Sequence, residues 1–219
     1  MPSENPQFKL LALLLFCYFL ICFPLSQIYF KDSFYLYSYW NILFFVITLT
    51  ALFFSGRLNF SQLGLFKVKT KSFSLGLALG IFPVLVVVVL DTLLVKTGLA
   101  ENDLFSGAEF REPPNLSLMD LLLDAVLSPA MSQIFITGYV LNTLAKRNDI
   151  AIFGNGVLYA TMSFNWGLGY LGMGMISAAL LRLGGSLIPA IFFAIGCSAA
   201  KILILTSYPR LTTLLVLLV

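Results

Sequence analysis

Leu127-Ser128-Pro129-Ala130-Met131-Ser132-Gln133-Ile134-Phe135-Ile136-Thr137-Gly138-Tyr139-Val140-Leu141 is the stretch on which the reading of this chain turns. It is apolar enough to be buried, yet it carries a proline, then a polar pair at Ser132 and Gln133, and a further polar group at Thr137. The apolar run around it opens near Ser117, where Asn115-Leu116-Ser117 follows Pro113-Pro114 and offers helix-capping side chains. It closes before Lys146-Arg147. A run of that length is predicted to be a helix able to cross a bilayer. The 219-residue chain contains no histidine. Metal-dependent or general-base hydrolysis inside a membrane usually relies on an imidazole as ligand or proton carrier, and that route is closed here.

Composition extends the same reading to the whole chain. Hydrophobic residues make up 59%, charged residues 11%, and the mean hydropathy is +0.96. A soluble domain has roughly half apolar and about a quarter charged residues. Backbone polar groups in lipid must be satisfied within the element, so the choice lies between helices and a closed barrel. The apolar runs are long and do not alternate, which predicts an all-α polytopic bundle. Runs at 10–30, 37–54, 73–95, 117–145, 151–169, 171–183 and 186–207 give six to seven spans, the Gly-rich zone from Gly167 to Gly185 being the hardest to divide. The stretch 211–219 is too short to cross and reads as an interfacial or re-entrant tail. Residues 1–219 are expected to form a single integral membrane domain. Cys17, Cys22 and Cys197 sit in apolar runs without metal-ligand spacing, and the net charge of +3 gives no case for nucleic acid.

Loop charges orient the bundle. The segment 55–72 carries Arg57, Lys67, Lys69 and Lys71 without an acid, and Lys146-Arg147 follows the fourth run. Between them, 96–116 holds Glu101, Asp103, Glu109 and Glu112 against Lys96 and Arg111. Basic loops stay in the cytoplasm, so the amino terminus is expected there too, in a prokaryotic inner or internal membrane.

A proline, two polar positions, an apolar stretch, a polar position and Gly138-Tyr139 resemble the signature helix of the CPBP family, the CAAX-protease and bacteriocin-processing intramembrane proteases. That family carries two glutamates and an arginine there; this chain has Ser132, Gln133 and Thr137. The family's Phe-x-x-x-His motif is placed on Phe164 and Leu168. Its third motif, His-x-x-x-Asn/Asp, is placed on Ala194 and Ser198, after Ser186-Leu187-Ile188-Pro189. Leu63-Gly64-Leu65 ahead of a basic loop is a further point of likeness. The resemblance implies the CPBP helical bundle and, in the family, an intramembrane glutamic-type endopeptidase. Every reactive position is changed, so it implies no catalytic residue and no metal here. Ser and Gln are not general bases near neutral pH, and Leu and Ala polarise nothing.

Asp124, Gln133, Phe164 and Asn165 remain as binding candidates; Asp120 and Asp124 share a helix face. Asp124 lies deeper, and a charge in hydrocarbon is costly unless paired or hydrated. Ser132, Thr137, Asn142, Asn155, Ser163 and Ser198 are suited to hydrogen bonds between helices. Three functions are compatible with these residues. The first is a non-catalytic scaffold, assembly factor or accessory subunit of a membrane complex, with membrane lipid and other integral proteins as partners. The second is a residual endopeptidase using Asp124 or acids near Glu101. The third is a small transporter or bundle binding a lipid or pigment. No cofactor is expected.

Overall fold

The computed structural model describes residues 6–22, 34–58, 70–99, 117–144, 148–163 and 166–212, with the single positions 24, 25, 28 and 65. All regular structure among them is helical. Helix α1 is Pro6–Cys17 and continues through a wider π turn, Tyr18–Cys22. Helices α2 (Phe34–Phe54) and α3 (Thr70–Lys96) follow. Helix α4 covers 118–144, and α5 is Asn148–Met162. Then come α6 (Leu168–Gly184), α7 (Ile188–Ser207) and a short 3-10 turn, Pro209–Leu211. Helices α3 and α7 are long and apolar enough to cross a membrane on those grounds alone.

An aromatic cluster joins the first two helices to the fourth. Tyr18 on α1 lies 5.1 Å from Phe44 and 6.2 Å from Phe45 on α2, ring centre to ring centre. Phe45 stands 5.6 Å from Phe135 on α4, which in turn meets Tyr139 at 6.3 Å. Such contacts add to what area burial alone contributes. The Tyr18 hydroxyl donates to the Met162 carbonyl at 2.7 Å, so α1 also holds the end of α5.

Helix α3 packs chiefly on α7, in parallel. Gly76 lies against Pro189 and Phe192, Gly80 against Phe192 and Gly196, and Val87 clusters with Ala200 and Ile204. Small residues let the two backbones approach closely, as in membrane helix pairs. Any Cβ at Gly196 would run into the Gly80 backbone. At the far end the Arg210 guanidinium pairs with the Asp91 carboxylate at 2.9 Å. Asp91 is buried and clamped by the turn after α7. The other side of α3, including Phe82, Leu85 and Val89, is bare of protein. That much exposed apolar surface requires lipid around it.

Two boundaries differ from the sequence expectation. The run 151–169 is not one helix, because α5 stops at Met162 and α6 starts at Leu168, preceded by an extended Gly167 (φ −64°, ψ 152°). Leu211, at the head of the expected tail, is buried with Val87, Ala200 and Ile204. Its apolar surface is therefore covered from within; residues 213–219 lie outside the described residues.

Candidate functional site

Helix α4 departs from regular α winding in two places. Leu123–Leu127 and Gln133–Val140 are π-wound, with Ser128 N–H bonded to the Leu123 carbonyl and Leu141 N–H to the Ile136 carbonyl. Such insertions are rare and gather at functional positions. The first has a sequence cause. In the register set by Ser128 and Leu123, the donor in line for the Asp124 carbonyl is residue 129, and proline has no N–H. The missing donor comes from α7, where Ser198 Oγ donates to the Asp124 carbonyl at 2.8 Å. Ser198 thus repairs across the bundle the bond that Pro129 removes.

The second π segment carries a closed set of uncharged groups. Gln133, Thr137 and Asn155 are each 0% exposed. Asn155 Nδ2 on α5 donates to the Gly174 carbonyl of α6 at 2.7 Å and to Thr137 Oγ1 at 3.1 Å. Thr137 Oγ1 donates to Gln133 Oε1 at 2.7 Å. The Gly174 carbonyl can only accept, which fixes the direction of the whole relay. Gly174 must be a glycine for it to form, since a Cβ there would come 2.5 Å from the Asn155 carbonyl and 2.7 Å from Tyr159 Cβ. The relay leaves Gln133 Nε2 and Asn155 Oδ1 buried with no partner in hydrogen-bond geometry.

Beside this relay stands Tyr159. Its hydroxyl lies 3.4 Å from Ser132 Oγ, and Ser132 also donates to the Pro129 carbonyl at 2.9 Å. Gln133 of α4 lies beside the same hydroxyl, and Tyr170 of α6 and Cys197 of α7 are within electrostatic range of it. Toward the surface, Lys201 Nζ donates to the Tyr170 hydroxyl at 3.5 Å.

Residues 114–200 match the family model described as "Rce1-like: Type II CAAX prenyl endopeptidase Rce1-like". Over these residues the chain is similar to an Rce1-like domain of the CPBP family. No curated protein and no solved structure matches the chain. The Rce1-like segment takes in α4, α5, α6 and most of α7, the four helices around Tyr159, and a membrane location goes with that family.

Within this Rce1-like segment, the residues that the resemblance places at the family's glutamate and arginine positions lie together. Ser132, Gln133 and Thr137 all belong to the polar interior, with Gln133 bonded to Thr137. Ala194 is fully buried on α7, and Ser198 serves Asp124. Asp124 is half-buried; its backbone carbonyl is what Ser198 engages. Leu168 does not join them. It is 71% exposed at the first turn of α6, α5 having ended at Met162. Phe164 and Asn165 lie outside the described residues. From α5 it is Tyr159 that reaches Ser132. An aromatic residue followed at the fourth position by a polar one, Tyr159 and Ser163, is the sequence signal that would have pointed there. Asn155 and Gly174 had no such signal as a pair, since only the hairpin of α5 and α6 makes them neighbours. Among the described residues no three His, Cys, Asp or Glu side chains gather as a metal site would need.

Proposed function

We propose that this protein is a non-hydrolytic Rce1-like membrane bundle that serves as a scaffold or accessory subunit for other integral membrane proteins. One observation carries the reading. At the positions where the family has its charged groups, Gln133 and Thr137 bond to each other and to Asn155 in a dry, uncharged relay. Activating water needs a base or a metal-bound hydroxide. An amide and a hydroxyl bonded to one another supply neither. What the relay does provide is a tie among α4, α5 and α6, which keeps the framework in one arrangement.

The test has two arms. Purified full-length protein should leave prenylated and signal-like peptides intact, with or without divalent metal. Turnover abolished by Asp124→Asn would favour the residual endopeptidase instead. Gentle solubilisation followed by mass spectrometry should recover the chain with other membrane subunits, and elution as a lone monomer would sink the accessory role. A second reading, a ligand-binding bundle, is favoured by Gln133 Nε2 next to Tyr159, buried with no partner in hydrogen-bond geometry.

The amino terminus is proposed to face the cytoplasm. The parallel packing of α3 and α7 supports strict alternation, since three intervening helices return the chain to the side from which α3 starts.

A further inference from the structure

The interior beside Tyr159 holds a buried donor without a well-placed acceptor. Gln133 Nε2 is fully buried with no partner in hydrogen-bond geometry, and the Tyr159 hydroxyl beside it, 5% exposed, makes a long contact to Ser132. The direction of the relay fixes that donor's place: the Gly174 carbonyl holds the Asn155 amide, Asn155 sets Thr137, and Thr137 turns the Gln133 oxygen inward. The Gln133 nitrogen is left toward Tyr159 and Ser132. A buried donor without a well-aligned acceptor is unfavourable, so an occupant that brings acceptor oxygen to Gln133 Nε2 is favoured there.

The way in is graded. Tyr159 is buried, Ser132 and Tyr170 are half-buried, and Lys201 is exposed. Trp166, 62% exposed, lies just before α6, at the same end as Tyr170. Tryptophan, tyrosine and a lysine able to reach outward are the residue types that stand at the membrane–water boundary. The mouth of the cluster is therefore at head-group depth, where a bilayer amphiphile carries its ester carbonyl or phosphoryl oxygens. We propose that the Ser132–Gln133–Tyr159 cluster is a binding site for the acceptor oxygens of such an amphiphile, entering past Tyr170 and Lys201. This rests on the non-hydrolytic reading of the same groups, for a guest ester must survive there.

The probes are palmitic acid methyl ester, hexadecyl phosphate and hexadecane, titrated into full-length protein in mild detergent and followed by native mass spectrometry. The ester, the phosphate or both should be retained about tenfold more tightly than hexadecane, the size expected for one or two hydrogen bonds. Preference for the ester alone assigns the site to a neutral carbonyl, and preference for the phosphate alone to a charged head group. Gln133→Leu and the gentler Tyr159→Phe should each cut the preference about threefold or more, while hexadecane retention stays unchanged. Equal retention of all three probes would overturn the proposal, as would a preference that neither variant alters; a resident water then satisfies Gln133. Hydrolysis of the bound methyl ester would refute the non-hydrolytic reading while leaving the binding site standing.

Discussion

Replacing Ser198 by alanine tests the link between Pro129 and α7. The Ser198 hydroxyl donates at 2.8 Å to the Asp124 carbonyl, which lacks a backbone donor because residue 129 is proline. Interhelical hydrogen bonds in membrane proteins average about 0.6 kcal/mol and reach about 1.7. A half-buried site and a carbonyl with no other backbone donor in line place Ser198→Ala near the middle, at about 1 kcal/mol. For a chain of this size that lowers the midpoint of thermal unfolding by roughly 2–4 °C. The sharper measurement is a double-mutant cycle with Pro129→Ala, which restores an N–H at residue 129. Ser198→Ala should then cost less than about 0.5 kcal/mol, because the helix can supply the donor itself. Reversible unfolding of the four variants in mixed micelles gives the coupling energy. Equal penalties in both backgrounds, with a coupling below about 0.3 kcal/mol, would show that Ser198 does not compensate for Pro129.

Three further outcomes are expected. Asn155→Leu removes two bonds that tie α5 to α4 and α6, and should destabilise the protein by about 1–3 kcal/mol in the same unfolding assay, with Thr137→Val adding little on top of it. Gly196→Leu places a side chain against the Gly80 backbone and should cost about 1–3 kcal/mol in the same unfolding assay, with Gly196→Ala costing less. Cysteine labelling from outside intact cells should reach a probe at Gly107 and not one at Thr70, and the reverse pattern would invert the proposed orientation.

The sequence by itself settled the class of the molecule. Unbroken apolar runs have only one way to satisfy their backbone in lipid, so the chain had to be a helical bundle, and proline, glycine and polar spacing marked α4 as its distinctive helix. The same spacing pointed to Ser132, Gln133, Thr137, Ala194 and Ser198 as neighbours of a common interior. It misplaced the end of α5, because an apolar run reads the same through the break at 163–167 as within a helix. Leu168, placed on a family histidine position, is 71% exposed, while Phe164 lies outside the described residues. Only the tertiary structure decided what the polar groups do. A side-chain hydrogen bond depends on a few tenths of an ångström and on direction, which the packing of α5 against α4 and α6 fixes and residue spacing does not. Hence the turn of the Gln133 amide, the service of Ser198 to Pro129's lost bond and the burial of Asp91 against Arg210 arise from how the helices meet.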